Sequence, residues 1–446
     1  MSDTIFRNEV LTPLFWGRLD DASRTALLRR PALAADDAQR ARVAEIVAEV
    51  RRDGDAALRR LTREIDGVDV ASLEVSRDEI EQAEAALTDA QRAAIQAAAR
   101  NIETFHRAQV PADIDVETAA GVRCERVSRP IPRVGLYVPA GTAPLPSTAL
   151  MLGIPARLAG CRTRILCSPP QPDGRVDAAV LHAARVAGVT RVFRVGGAQA
   201  IAAMAYGTET VPKVDKIFGP GNSWVTAAKA LVDADPDGAA RDFPAGPSEV
   251  LVIADETANA AFVAADLLSQ AEHGADSQVL LVTTSANLAA QVAGEVAAQK
   301  ARLTRREIVD AALAHSAAIV VDDLDTALAI SNAYAPEHLI LQVAHPREAL
   351  SRVEAAGSVF LGPWAPESVG DYCSGTNHVL PTYGYARRSS GLGVGDFVRS
   401  MTVQELTSAG LAEIGPVAAA LAELEGLDAH ARAVTTRLDD LAGDAA

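Results

Sequence analysis

The segment SQAEHG places Gln270 and His273 three positions apart at the end of a helical window, so an amide and an imidazole share one helix face. Helical bundles present Glu-x-x-His metal ligands at this spacing, and the negative end of the helix dipole favours a cation there. Glutamine is an uncommon zinc ligand, so the pair needs partners from elsewhere. A second pair, Glu337 and His338 in YAPEHLI, sets a carboxylate beside an imidazole. Neighbours on a regular strand point to opposite faces, so both reach one site only from an irregular lead-in, with the strand starting after Pro336. The same text also fits a solvated glutamate beside a packed histidine. Of the remaining histidines, His378 follows Asp371 in an aperiodic stretch and His430 follows Glu425, while His106, His182, His315 and His345 read as ordinary residues of helices and element ends. Two glycine turns, VGGAQA and FGPGNSW, stand between a strand and a helix, where N–H groups favour a phosphate. Neither is a G-x-G-x-x-G, and both also fit glycines that only let a sheet turn.

The elements that must carry these residues follow from hydrophobic period. Residues 34–110 are Ala-rich with apolar spacings of three and four, which predicts helices. After residue 127, short β-branched runs alternate with helical windows, from RVGLYVP to NSWVTAAKALVD and again from SEVLVIAD to SVFLG. Such alternation predicts parallel sheets covered by helices, with ligands at the carboxyl ends of the strands. The expected fold class is α/β: two parallel-sheet, incomplete Rossmann-like domains with an N-terminal helical region and a C-terminal helical tail. The boundaries read as 1–126 (helical, packing on the second α/β domain), 127–245, 246–385 and 386–446 (the tail).

Composition narrows the function. The 446 residues carry a net charge of -16 and no basic block, which argues against nucleic acid or an anionic membrane as partner. The apolar runs are broken by Gly, Pro or Arg and fall short of the roughly 18 residues of a membrane span. The N-terminus lacks the apolar region of an export signal, so a cytoplasmic location is expected. Cys124, Cys161, Cys167 and Cys373 form no C-x-x-C pair, so a metal here needs nitrogen and oxygen ligands.

Taken together, VGLYVPAGTAPLPSTALML, VGGAQAIAAMAYGT, VDKIFGPGN, PAGPSEVLVIAD, DLLSQAEHG, YAPEHLI, GDYCSGTNHVLPT, MTVQEL and LDAHARAV resemble the histidinol dehydrogenase family over nearly the whole chain. The resemblance implies oxidation of L-histidinol to L-histidine through the aldehyde, the last steps of histidine biosynthesis, with two NAD+ and one Zn2+ per site in a homodimer. It assigns Gln270, His273, Asp371 and His430 to zinc, and Glu337 and His338 to acid/base chemistry, with His338 titrating near neutrality. The substrate would also meet Ser248, His378 and Glu425, besides the metal and acid/base residues, and NAD would meet Tyr137, Gln199 and Asn222. Glu425 and His430 would come from the partner's tail. Three other readings stand beside it: a related zinc/NAD dehydrogenase of another amino or sulfonated alcohol, a non-catalytic zinc protein, and a Cys373 thiohemiacetal route.

Overall fold

The computed structural model describes residues 11–31, 37–140, 144–243 and 246–444. In chain order the strands are β1 (Pro13–Phe15), β2 (Ile114–Ala119), β3 (Val122–Pro130), β4 (Arg133–Tyr137), β5 (Thr163–Ser168), β6 (Arg191–Arg194) and β7 (Lys216–Phe218). They continue as β8 (Ala240–Arg241), β9 (Glu249–Ala254), β10 (Gln278–Thr283), β11 (Ala317–Val320), β12 (His338–Gln342), β13 (Ser358–Leu361) and β14 (Val398–Leu406). The first parallel sheet runs β6-β5-β4-β7-β8, and the second runs β1-β11-β10-β9-β12-β13. Counted from its own first strand, each follows the doubly wound order 3-2-1-4-5, which is the Rossmann order without its sixth strand. The second gains β1 at its edge, parallel to β11. Central strands such as β9 and β10 are buried at every position, which is why they read as continuous apolar runs. The expected α/β class therefore holds.

Two features depart from expectation. The N-terminal helices pack on the first sheet's helices, not on the second domain: Asp37–Leu61 lies against Gly197–Tyr206 and Ser223–Asp233, and Asp89–Arg107 against Pro146–Ala159. The reason is apolar continuity, because Val43, Ile46, Val50, Leu58 and Leu61 complete a core with Ile201, Met204, Val225 and Val232. Among the described residues before 32, β1 and the helix Asp21–Leu27 join the second sheet, where Leu27 packs with Leu251 and Ile319. The other departure is a third, antiparallel sheet, β14-β3-β2, which brings residues expected to be helical region and helical tail side by side. Strands β2 and β14 are exposed along nearly their whole length, so they lack the in-out alternation that marks a half-buried strand. Among the described residues no helix is long and apolar enough to cross a membrane.

Backbone turns do the fine positioning. Gly219, which opens GPGN after β7, has φ +119°, and an added Cβ would collide with the Tyr137 carbonyl oxygen. Its N–H donates to Asp242 Oδ2 at 2.7 Å, and its carbonyl accepts from Lys229 Nζ at 2.5 Å. In the second domain, the helix Ala260–Ala271 begins at Asn259, whose side chain accepts from the Ala261 N–H, and ends beside the starts of β9 and β12.

Asp266 on that helix accepts from Gln342 Nε2 at 3.0 Å, and burial pushes its carboxyl up to about 6. A folded-state pKa above the unfolded one contributes stability below about 4 that is lost as pH rises through 6. Asp266→Asn should therefore gain on the wild type as pH rises across that window, by ~2–3 kcal/mol. Urea unfolding at successive pH values checks this, and a pH-independent difference would show the carboxyl to be ionised in the fold.

Candidate active site

A cleft of about 320 Å³ separates the two parallel sheets. From the first sheet it takes Pro220, Gly221 and Asn222, which follow β7 at a carboxyl end beside β4, the topological switch point. From the second domain it takes Ser248, Gln270, His273, Glu337 and His338, and further walls come from Asp371 and His378. The carboxyl-end expectation thus holds for the first sheet and fails for the second, whose β9 and β12 present their amino ends. Helix polarity explains the difference. A crossover helix starts at the carboxyl edge of its sheet and finishes at the amino edge, so the first domain faces the cleft with helix N-termini and the second with a helix C-terminus. The one edge favours an anion and the other a cation.

The segment before β12 brings Glu337 and His338 to one place. Ala335, at φ 53°, ends the helix Leu324–Tyr334 in the left-handed region, and β12 starts at His338 directly after Pro336 and Glu337. The irregular lead-in therefore holds Glu337, while His338, expected there too, is already the first residue of the strand. Both side chains then grip one residue: Glu337 Oε2 accepts from the Glu249 N–H at 2.9 Å, and His338 Nδ1 meets the Glu249 carbonyl at 3.1 Å. His338 Nε2 points the other way, 3.5 Å from Asp371 Oδ1.

Burial and charge set the protonation states. Glu337 is 6% exposed, and burial pushes its carboxyl up to about 8. Burial pulls the His338 imidazole down, but the adjoining Glu337 and Asp371 carboxylates outweigh it and raise the group to about 10. That is well above the near-neutral value expected for a base, because the ring stands between two acids. Asp371 lies below the ordinary carboxylate range, since the hydrogen bond and charge of His338 overcome its burial. Burial lowers the His378 imidazole, and crowding by neighbouring atoms lowers that of His273 although its side chain is exposed, which keeps a ring nitrogen's lone pair available for a metal or substrate.

The site also contains Glu367, which sequence reading passed over. It lies four residues before Asp371 on the short helix Glu367–Tyr372, is 1% exposed, and accepts from Ser269 Oγ at 2.8 Å. Burial, reinforced by the Asp371 charge, pushes it up to about 8. The i, i+4 spacing of two carboxylates was the available signal. His273, Glu367 and Asp371 each offer a ligand atom within 4.8 Å of the others. Gln270 adds a second mark of a metal site: it is 1% exposed, yet neither amide atom has a partner among the described residues. An unmet buried amide costs roughly 1–3 kcal/mol, which a ligand would relieve. A mixed nitrogen and oxygen donor set of this kind fits a borderline divalent ion such as zinc.

Other expected residues lie elsewhere. Glu425, in the turn between the two C-terminal helices, and His430, on the last helix, are exposed and do not line this chain's cleft. Tyr137 and Gln199 are buried outside the cleft lining, with the Tyr137 hydroxyl accepting from the Gly197 N–H at 3.1 Å. Cys373 is exposed and does not line the cleft, so nothing in its placement favours a thiohemiacetal.

Fold and site together define an α/β protein with a buried Glu337–His338 pair beside a cluster of groups able to hold a cation. Comparison with known proteins narrows the class. The family model described as histidinol dehydrogenase matches residues 28–438. The chain is 59% identical to the histidinol dehydrogenase of Xanthomonas oryzae pv. oryzae over 425 residues, covering 95% of this chain and 98% of that one. It is 56% identical to the enzyme of Vibrio cholerae over 426 residues, at 96% and 98% coverage. The crystal structure of histidinol dehydrogenase from Elizabethkingia anophelis matches with a TM-score of 0.93 at 47% identity, covering 97% and 98%. The chain belongs to the histidinol dehydrogenase family, oxidoreductases of histidine biosynthesis.

If Glu367 orients Asp371, Glu367→Gln should weaken Zn2+ binding by roughly 10–100-fold, as loss of a group bonded to a ligand does. Asp371→Ala and His273→Ala, which would remove candidate donors outright, should weaken it further. Competition with a chromogenic chelator measures all three, and wild-type affinity in Glu367→Gln would reduce that residue to packing.

Proposed function

We propose that this chain converts L-histidinol to L-histidine through L-histidinaldehyde, using zinc and two NAD+ in a homodimer. The observation that carries this reading is the convergence of Gln270, His273, Asp371, Glu337 and His338 on one cleft from three separate segments. When bound, zinc would anchor the substrate's imidazole and amine, held by Gln270, His273, Asp371 and the partner's His430, while NAD+ would serve as hydride acceptor. Every other step falls to the protein's own groups. Ser248 and His378 line the substrate's side of the cleft, and Glu425 of the partner's tail is suited to its amine. The Glu249 carbonyl takes the His338 Nδ1–H, so Nε2 is the atom that accepts the hydroxyl proton as hydride leaves carbon. With the Asp371 carboxylate engaged by a divalent cation, His338 would lose part of the negative charge that raises it and would be freer to act as a base. Glu337 would then draw a proton from water as that water adds to the aldehyde carbon, supplying the second carboxylate oxygen. A second hydride then leaves the hydrate.

The cofactor reading rests on the first sheet's carboxyl edge. Asn222 caps the helix Ser223–Asp233, accepting from the Val225 N–H at 3.1 Å, and so sets a helix N-terminus at the cleft. Tyr137 ends β4 and Gln199 sits in the first turn of Gly197–Tyr206, both on that same edge, and Gln199 Nε2 is buried without a partner among the described residues. All four cysteines are free thiols, which suits the reducing cytoplasm.

Under saturating zinc, each histidinol consumed should yield two NADH, and His338→Ala should lower kcat about 10²–10⁴-fold with zinc still bound. Wild-type turnover in that variant would remove His338 from the mechanism. Tail exchange has its own check. When inactive His338→Ala and His430→Ala subunits are mixed and re-paired at random, activity should return to about one quarter of wild type. No recovery on mixing would place both residues in one subunit's site.

A further inference from the structure

The acid/base pair hangs on the two main-chain groups of Glu249, and the side chain of Glu249 is itself held from a distant part of the chain. Arg30 follows the helix Asp21–Leu27 and reaches the buried Glu249 carboxylate in a bidentate grip, Nε to Oε1 at 2.5 Å and the second nitrogen to Oε2 at 2.8 Å. The same guanidinium donates to the Tyr334 carbonyl at 2.8 Å and the Ala335 carbonyl at 3.3 Å, which close the helix leading into Glu337. It also lies over the Tyr334 ring, 3.7 Å from the centroid. Tyr383 ties the arrangement from the other side: its N–H donates to Glu249 Oε1 at 2.6 Å, and its hydroxyl donates to the Pro31 carbonyl at 2.7 Å.

One cation therefore pins both chain segments whose relative placement aims Glu337 and His338. Movement of β9 alone would carry off the N–H and carbonyl that the pair grips, and movement of the helix end alone would swing the pair away from Glu249. Arg30 is chemically suited to prevent both, since only a planar fork can bind a carboxylate with two bonds and still donate to two carbonyls.

We propose that Arg30 is a positioning residue for the reaction, setting His338 and Glu337 through Glu249 without touching substrate. The inference rests on the acid/base reading above. It gives the N-terminal arm a part in turnover as well as in packing.

The test uses zinc-loaded enzyme with rates expressed per bound zinc. Arg30→Met should lower kcat by about 100-fold, the scale expected when a catalytic group is displaced by roughly an ångström. KM for histidinol should change by less than about threefold, because zinc and Ser248 still bind the substrate. The pH profile of kcat should also be displaced, which simple loss of folded protein would not cause. Arg30→Lys keeps the charge but loses the fork, and should recover only part of the rate. The double variant Arg30→Met/Glu249→Gln removes the unpaired buried carboxylate, so it should regain thermal stability while its kcat stays low, and it carries the test if Arg30→Met does not fold. Recovery of kcat together with stability in the double variant, or wild-type kcat per zinc in Arg30→Met, would overturn the inference. His338→Ala assayed in parallel separates the two readings: if it keeps turnover, the acid/base assignment fails, and if it alone loses turnover, only the role of Arg30 fails.

Discussion

Burial of like charge at the amino end of the second sheet is the constraint on which this structure depends. Glu337, Glu367 and Asp371 are each under a tenth exposed and gather around His338. An isolated buried carboxylate either takes up a proton or needs a compensating charge and hydrogen bonds. Both responses are visible. Burial raises Glu337 and Glu367, while His338 takes the opposite charge and holds Asp371 ionised. The Glu249 N–H and the Ser269 hydroxyl supply the hydrogen bonds. Such a group is chemically suited to a divalent cation, since one ion could neutralise acids that the protein otherwise keeps protonated.

The two sheets share a strand order yet face the cleft with opposite edges, and the division of labour follows from that. The first sheet contributes the carboxyl end of β7 and the capped start of Ser223–Asp233. The second contributes the amino ends of β9 and β12 and the finish of Ala260–Ala271. Positive and negative helix ends therefore meet across one cavity, a phosphate-favouring wall opposite a cation-favouring one. The proposed transfer of hydride from a metal-anchored alcohol to a dinucleotide would use these two walls at close range.

Much of the site was legible in the sequence because its chemistry is local in the chain. Gln270 can be placed from helix period and the Pro336-Glu337-His338 segment from proline rules, whereas His273 stands past the helix end, after the C-cap Glu272, and joins Gln270 through a turn. The long run of family motifs supplied Ser248, Asp371 and His378. Glu367 went unnoticed because its partner Ser269 lies 98 positions away, and the i, i+4 spacing of Glu367 and Asp371 in ESVGDY serves a solvated pair of acids as well as a buried one. Arg30 was equally silent, one arginine among many in a polar, Ala-rich arm. Its meaning comes from Glu249, 219 positions distant.

By itself the sequence determined the alternation of strand and helix, hence two parallel sheets, and the residue types able to bind a metal and move protons, since these depend on periods and chemistry within a few neighbouring residues. Tertiary structure alone decided which sheet the N-terminal helices cover, which edge of the second sheet meets the cleft, and how far His338 departs from an ordinary imidazole. Those outcomes depend on apolar surfaces and charges that meet only after the chain has closed on itself. A buried pKa or a bidentate grip is a property of the neighbours that folding supplies.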